Sequence, residues 1–492
     1  MRIILTLLIV ACIVPLYPQT DPASLAFKKN RPRQPRIIVD ITDDDYQLQE
    51  RFNLVRKANS GSPGAMHELG LRYLTGEGYG KDTTAAFFWI EKAAAAGHIT
   101  ANYNLGIFYL QGIGGRWNPF LAYEKFEFAA ARKMAQAQYV LGVLHTENLV
   151  VKRDLTKAKQ YFQKAADGGN ESAIEALPSM DKMIAAEKEM PRQRVNDSPL
   201  MFLDFASPVA AREVNDSLLI DDYLKQYDTL QVPLQKLFNR MALSQDELTI
   251  FDSLNIQVSA GCPEAMILLG RCFQLGLGVP VDKLTAAMMY LRAFRLDSPR
   301  SPELLNEILT DVAFREKLYA EARRMNPIAT FIVASLNAYG VDYTLERSQI
   351  LRYLEHSASN GVIPAMLELA GSTFSGSLAS ENREKAINLW IAAADSGSIE
   401  ANVRIVMVSA LEHADISHYL PLLREAEQNG SVLAQFLLGY SSEHGIGGKK
   451  DSGDAAFWYR RAAARGNRAA FNALKKLYDG LRPLTPAYVI PQ

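Results

Sequence analysis

Small and apolar residues return along this chain in a fixed long-range phase. The segments AMHELGLRY, ANYNLGIFY and AQYVLGVLH begin at Ala65, Ala101 and Ala137, which lie 36 residues apart. Within them Ala, Leu and Gly occupy the same places. Self-similarity at such a period predicts a stack of similar helical units.

The same frame returns in the second half of the chain. Related segments begin at Ala265, Ala365 and Ala434, and weaker ones begin at Ala329 and Ala401. The steps from Ala329 to Ala365 and from Ala365 to Ala401 are again 36 residues. The repetition therefore extends over much of the chain.

Each unit contains the pattern of two helices. The first is about twelve residues long and stops at a glycine, which supplies the left-handed residue that closes a helix. The second carries an alanine at a fixed point and ends in an alanine pair. Small residues let the two helices approach closely, and we expect Trp89, Tyr161 and Trp458 to fill the space beside them. The glycines that end first helices are Gly76, Gly112, Gly276, Gly340, Gly376 and Gly445.

Residues 65–97 fit the pattern AxxxLGxxYxxGxGxxxDxxxAxxWxxKAAxxG. This pattern resembles the Sel-one-like repeat, a 36-residue relative of the tetratricopeptide repeat. The resemblance implies an all-α fold, namely a right-handed α-solenoid of antiparallel helix pairs. It also implies an adaptor that assembles complexes, often at membranes or in envelope processes.

The repeat frame is lost in the middle of the chain, where prolines and mixed charge replace it. We expect a partly helical insert there, or two badly decayed repeats. A shortened helix pair is expected around Glu303 to Arg324, and the helix ending near Asn59 fits the second half of a truncated first repeat. The predicted divisions are an apolar leader (1–20), a flexible tether (21–45), a first repeat block (46–178), the insert (179–245), a second repeat block (246–480) and a tail (481–492).

The leader favours export or membrane tethering. Met1 and Arg2 precede an apolar run that is long for a signal segment and short for a bilayer span. Its residues Ile9 to Cys12 resemble a bacterial lipobox, which makes Cys12 a candidate for lipidation. A cleaved soluble form, a lipoprotein and an uncleaved anchor remain open. The expected location is the bacterial periplasm or a membrane-anchored place in the cell envelope.

The glycine-rich stretch from Thr75 to Thr84 has some likeness to a phosphate-binding loop. Its spacing is GxxxGKD, whereas such a loop needs GxxxxGK[ST] between a strand and a helix. Equivalent stretches in other repeats keep glycine at the first and third positions and lose the lysine-threonine ending. We therefore interpret it as the turn between two helices, with Gly76 ending the first helix and Asp82 capping the second.

Net charge and cysteine content argue against several classes of function. The formal net charge is −1, and no basic patch with interleaved aromatic residues appears, so we expect no nucleic-acid partner. Three cysteines are too few for a disulfide framework or a thiolate zinc site. The arginines and lysines from Arg460 to Lys476 are interpreted as a solvated cap of the array.

No catalytic constellation remains once packing and turns are accounted for. We therefore expect no cofactor and no metal, and a non-enzymatic scaffold that binds protein or peptide partners on its concave face. One alternative is an envelope carbohydrate- or peptidoglycan-binding protein, with tyrosines and tryptophans lining an exposed groove. Another is a hydrolase with its site in residues 179–245. The polar first-helix side chains proposed for the groove are His67, Arg72, Asn102, Asn104, Gln138 and Arg271.

Overall fold

The computed structural model describes residues 48–115, 117–187, 214–227, 230–342 and 344–490. Within these ranges the chain forms α-helices and two short 3-10 turns, and no strand. The predicted leader and tether, including Cys12, lie outside the described residues.

The helices follow one another through short connections. In chain order, the helices of the described ranges are α1 (Leu48–Asn59), α2 (Pro63–Thr75), α3 (Thr83–Ala95), α4 (Ile99–Gln111), α5 (Pro119–Ala131), α6 (Ala135–Glu147), α7 (Leu155–Asp167), α8 (Glu171–Glu187), α9 (Asp216–Leu224), α10 (Gln231–Phe238), α11 (Thr249–Ser259), α12 (Pro263–Leu275), α13 (Lys283–Arg295), α14 (Ser301–Leu309), α15 (Val312–Arg323), α16 (Pro327–Ala338), α17 (Arg347–Ser359), α18 (Ile363–Ser375), α19 (Arg383–Asp395), α20 (Ile399–Leu411), α21 (Leu420–Gln428), α22 (Val432–His444), α23 (Ser452–Ala464) and α24 (Arg468–Asp479).

Six units repeat one helix pair. The first helix of each (helix A) packs against the second (helix B), and both are 13 residues long. The pairs are α2/α3, α4/α5, α6/α7, α12/α13, α18/α19 and α22/α23. This confirms the predicted α-solenoid of antiparallel helix pairs. The short pair expected near residue 303 is also present, as α14 and α15.

The turn between helices A and B has the predicted chemistry. Gly76 ends α2 with a left-handed φ of 83°. The Asp82 carboxylate accepts hydrogen bonds from the backbone N–H groups of Thr84 and Ala85, both at 2.9 Å. These bonds satisfy donors that would otherwise be orphaned at the start of α3. The glycine-rich stretch is therefore a helix-to-helix turn.

The aromatic side chain that packs on helix A lies one position later than expected. A Cβ at Gly106 would lie 2.6 Å from Phe126 Cε1, so the absence of a side chain on α4 makes room for the ring on α5. Trp458 is buried in the core as expected, whereas Trp89 and Tyr161 are half-buried and pack against the core without facing the glycine. The equivalent contacts in other repeats are those of Gly70 with Ile90, Gly142 with Phe162, Gly270 with Tyr290 and Gly439 with Tyr459.

The last repeat returns to the first block of repeats. Helix α23 packs against α4, and the Tyr478 ring on α24 lies 5.2 Å from the ring of Trp117 in an edge-on arrangement. One continuous hydrophobic cluster contains residues from both repeat blocks and from the insert. As a result, helices α4, α6, α16 and α22 are buried along nearly their whole length. Among the described residues, no helix is long and apolar enough to span a membrane.

Candidate partner-binding surface

The side chains proposed for a partner groove are engaged within the chain itself. Five of them are buried: His67, Arg72, Asn102, Asn104 and Gln138. Arg271 is partly buried, with 14% of its side chain exposed. In this structure neighbouring repeats and the insert cover these side chains. Their contact with a partner stays a prediction.

Asn102 and Gln138 occupy the same position in successive repeats and hold the repeats together. Asn102 Nδ2 donates to the carbonyl of Ala94 at 2.9 Å and to that of His98 at 3.0 Å. Gln138 Nε2 donates to the carbonyl of Ala130 at 3.2 Å. Ala94 and Ala130 lie in the last turn of the preceding helix B, where carbonyls have no partner in the regular helical hydrogen-bond pattern.

His67 and Asn104 join the first two repeats through a buried polar contact. Asn104 Nδ2 lies 3.0 Å from His67 Nε2, and the His67 ring stacks on His98 with centroids 4.7 Å apart. Burial, together with the neighbouring His98, lowers the pKa of His67 to about 4. The His67 ring is therefore neutral at pH 7 and its Nε2 can accept the amide hydrogen.

Arg271 binds a helix of the insert. Its Nε donates to Asp216 Oδ1 at 2.8 Å, and its Nη1 donates to Glu307 Oε1 at 2.7 Å. Asp216 is the first residue of α9, so a segment from outside the repeats occupies the surface beside Arg271. The interaction that sequence reasoning assigned to a partner is made here within the chain.

Helix α9 presents one face to the second repeat block. Leu219 and Tyr223 are buried, and the Tyr223 hydroxyl donates to Gln257 Oε1 at 2.8 Å. Asp222 accepts from Arg300 Nε at 2.8 Å. Apolar residues at a spacing of four, flanked by paired acids, are typical of a helix bound in a groove.

A charged cluster lies inside the second repeat block. Arg292 Nη1 lies 3.2 Å from Glu368 Oε1, and Arg295 Nε lies 2.8 Å from Glu368 Oε2. Glu400 pairs with Arg292 and with Arg404, the latter at 2.7 Å. Burial alone would raise the pKa of Glu400, but the charges of Arg292 and Arg404 outweigh it and lower the pKa to about 2.

We interpret this cluster as stabilising the fold, because each of its buried carboxylates faces an arginine. A buried ion left without its partner is far more costly than the intact pair. Sequence reasoning missed these residues because the pairs that join separate repeats lie 73 to 108 residues apart, and the pair of Glu400 with Arg404 is the local one. The sequence does contain one signal for this cluster, because its acids and arginines stand at helix positions that are otherwise apolar.

The basic end of the array is only in part the solvated cap that we expected, because Lys475 and Lys476 are exposed and three of its arginines are not. Arg465 Nε donates to Glu264 Oε1 at 3.0 Å, and Arg468 Nε lies 2.9 Å from Asp297 Oδ1. Both arginines, together with Arg460, are buried. Arg465 binds Glu264 of α12 and Arg468 binds Asp297 just after α13, so these two arginines fasten the last repeat to the α12/α13 pair.

Glu147 lies buried where α6 meets the last repeat. Burial raises its pKa to about 7, and the charge of Arg460 opposes part of that shift. Neither carboxylate oxygen has a hydrogen-bond partner within the described residues. Arg460 instead donates to the hydroxyl of Tyr478. Glu147 is therefore a titratable group placed directly at the contact between distant repeats.

The tryptophans do not line an exposed groove. Trp117, Trp390 and Trp458 are buried, and Trp89 is half-buried. This gives the carbohydrate-binding alternative no structural support. In the described part of the chain, no group of three or more His, Cys, Asp or Glu residues is placed to hold a metal ion.

A curved stack of helix pairs with one period defines the class of helical-repeat proteins. Comparison with known families matches the Sel1 repeat six times, and the chain is a Sel1-repeat protein. The matched ranges are 63–98, 99–133, 135–170, 263–298, 363–398 and 432–467. They coincide with the six helix pairs of the structure.

Several known proteins are similar to parts of this chain. The mouse protein named DAP3-binding cell death enhancer 1 is 36% identical over 105 residues, which are 21% of this chain and 21% of that protein. The rat protein of the same name is 32% identical over 105 residues, again 21% of each. The chitin synthase regulator SKT5 of Malassezia restricta is 40% identical over 67 residues, 14% of this chain and 5% of that protein. The chain thus spans about a fifth or less of the length of these relatives.

Two solved structures are also similar. The protective antigen c5321 of uropathogenic Escherichia coli, described as displaying an SLR fold, is 23% identical, and the match covers 89% of this chain and 84% of that one with a TM-score of 0.29. A Sel1 repeat protein from Oxalobacter formigenes is 34% identical, with 27% and 98% covered and a TM-score of 0.26.

Proposed function

We propose that this protein is a non-enzymatic scaffold that assembles protein partners on the surfaces of its repeats. Sel1 repeats generally mediate protein–protein interaction. The observation that carries the proposal is α9, a helix from outside the repeats that is bound to a repeat surface by Asp216, Leu219 and Tyr223. A surface that binds a helix of the same chain through paired charges and apolar anchors has the chemistry to bind a partner's helix.

The concave face is proposed as the binding face, in competition with the segments that cover it. Helix α9 lies on the second repeat block and the last repeat lies on the first block. A partner gains access when one of these segments is released, so the intramolecular contacts set its apparent affinity. The names of two relatives, which refer to DAP3 binding and to regulation of chitin synthase, agree with protein partners.

Capture of partners with and without α9 in place tests this function. We would compare the wild-type chain with an Asp216→Asn/Asp222→Asn variant by crosslinking in intact cells and affinity isolation. The variant loses the ion pairs to Arg271 and Arg300, so we expect it to capture more of the same proteins. Asp221→Asn is the matched control, because Asp221 forms no ion pair among the described residues and the change removes one charge from the same helix. If neither chain enriches a protein over background, the scaffold function is rejected.

We also propose that the chain is exported or tethered to a membrane in the cell envelope through its apolar leader. The support is the run IILTLLIVACIVPLY after Arg2. Fractionation of cells that produce the full chain tests it, with mass spectrometry of the N-terminus to distinguish a cleaved form, an acylated Cys12 and an intact anchor. A Cys12→Ser variant that still sediments with membranes and a wild-type chain without acyl mass would reject the lipoprotein form.

A further inference from the structure

The residues that follow α24 fold back onto the first repeat block. We name residues 480–490 the closing segment. Arg482 Nη1 donates to the carbonyl of Val150 at 3.0 Å, and Arg482 Nη2 donates to the carbonyl of Leu149 at 2.6 Å. The guanidinium also lies 5.2 Å from the centroid of the Phe120 ring, within the range of a cation–π contact.

Tyr488 is the second anchor of the closing segment. Its ring meets Phe120 edge-on at 5.2 Å and Tyr123 at 6.0 Å. Burial, with the nearby acids Glu124 and Glu127, raises the pKa of Tyr488 to about 12. The ring is almost fully removed from water.

The stretch between the two anchors makes little contact with the repeats. Leu484 is fully exposed, although it is a large apolar residue. Two deeply placed anchors joined by an exposed stretch are typical of a short linear peptide bound to a folded surface, where few residues carry most of the affinity.

The receptor side of this contact is built by the repeats. Phe120 and Tyr123 lie on α5 and are buried in the second repeat, and the Tyr123 hydroxyl lies 3.2 Å from His145 Nε2 on α6. Leu149 and Val150 lie in the turn that follows α6. We name these four residues the closing-segment pocket. Helix α5 carries two of its residues, and the turn between α6 and α7 carries the other two.

We propose that the closing-segment pocket is a peptide-binding site, that the closing segment is its ligand within the chain, and that a partner segment with an arginine and a tyrosine six residues apart binds it by displacement. The arginine is selected by two backbone carbonyls and an aromatic face, and the tyrosine by the two aromatic rings. This proposal rests on the proposed scaffold function, since it names the chemistry of one class of partner.

Occupancy by the chain's own segment predicts how the site responds to a free peptide. A tethered ligand acts at an effective concentration that reaches the millimolar range for short connections. A free peptide of the same sequence must compete with it, and weakening the tethered copy should raise the peptide's apparent affinity.

The test uses the full chain and a labelled peptide of residues 480–490, GLRPLTPAYVI. Fluorescence anisotropy would compare the wild-type chain with an Arg482→Ala/Tyr488→Ala chain. We expect the peptide to bind the double variant at least tenfold more tightly than the wild type. A Leu484→Ala chain is the matched control and should behave as the wild type. Peptides carrying either anchor substitution should bind the double variant at least tenfold more weakly.

Equal binding to the two chains, or no binding to a double variant with the helical signal of the wild type, would overturn the proposal. If the double variant loses that signal, Arg482→Ala alone replaces it, and the same two outcomes decide. If the peptide does not bind but the wild-type chain still captures partner proteins, this site is rejected and the scaffold function stands. Failure of both rejects the scaffold function as well.

Discussion

Gly112 and Gly453 touch across the closed array. A Cβ on Gly112 would lie 3.2 Å from the Cα of Gly453, and a Cβ on Gly453 would lie 2.9 Å from the carbonyl oxygen of Gln111. The turn that ends α4 and the start of α23 thus approach backbone to backbone. We call this contact of the last repeat with the second repeat the closure. The two glycines make it possible because neither carries a side chain.

Gly453→Ala should loosen the closure. The added methyl collides with a backbone carbonyl, which cannot rotate away as a side chain does, and overpacking of this kind costs about 1–3 kcal/mol. Urea unfolding should show a correspondingly lower free energy of unfolding. Gly448→Ala is the control, because nothing lies within 4 Å of a Cβ there. Equal stability of the two variants would contradict the backbone contact.

Gly106→Ala should separate helices A and B of the second repeat. Its Cβ would lie 2.6 Å from Phe126 Cε1, so we expect a loss of about 1–3 kcal/mol in the free energy of unfolding. Adding Phe126→Leu should recover part of the loss, because the smaller side chain leaves room for the methyl. Gly64→Ala, with no atom within 4 Å, should be neutral or stabilising. The steric explanation would be refuted if the double variant lost more free energy of unfolding than the two single variants lose together.

Glu147→Gln should change how stability depends on pH. Burial raises the pKa of Glu147 from 4.5 to about 7, so the folded state holds the proton more tightly than the unfolded chain. Ionisation of Glu147 therefore destabilises the folded wild type. The loss in the free energy of unfolding is absent below pH 4.5, grows as the pH rises and is about 3 kcal/mol at pH 7. The Gln variant keeps the shape of the side chain and cannot ionise. It should be as stable as the wild type at pH 4.5 and more stable above pH 7.

Thermal unfolding of both chains between pH 4.5 and 8 measures this difference. Histidines such as His145 titrate in both chains, so the comparison isolates Glu147. Exposed Glu384→Gln serves as the charge-matched control and should run parallel to the wild type. A constant gap between the wild type and Glu147→Gln across this range would show that the carboxyl does not change its pKa on folding.

Glu368→Gln should be strongly destabilising. It removes a charge that faces Arg292 and Arg295 in the interior, and breaking one side of a buried ion pair costs about 3–5 kcal/mol. Glu412→Gln breaks an exposed pair with Arg383 at 3.0 Å and should cost less than about 1 kcal/mol. Denaturant unfolding of both variants gives the comparison. Similar small losses would mean that water reaches the buried cluster.

The repeat architecture was predictable from the sequence because its determinants are local. Gly76 and Asp82 act through neighbours within a few residues, and their roles are visible in any one repeat. The aromatic position was misplaced by one residue, since Trp89 and Ile90 both suit the apolar side of α3 and only the crossing of the helices decides which one faces Gly70.

The closure and the covered surface were not predictable, because they depend on pairs far apart in the sequence. Arg468 and Asp297 are 171 residues apart, and Arg482 and Leu149 are 333 apart. An arginine near the end of an array fits a solvated cap equally well when its partner is unknown. The pairing of Arg271 with Asp216 of the insert was not predictable for the same reason, because these two residues lie 55 positions apart.

The contact of the last repeat with the first block has a consequence for how the chain is made. An open repeat array can fold unit by unit as it leaves the ribosome, because each unit touches only its neighbours. Here the rings of Trp117 and Phe120 acquire Tyr478 and Tyr488 only after more than 350 further residues have been synthesised. Until then an apolar surface of the second repeat stays uncovered, and exposed apolar surfaces favour aggregation. A chaperone that shields α5 during synthesis would meet that need.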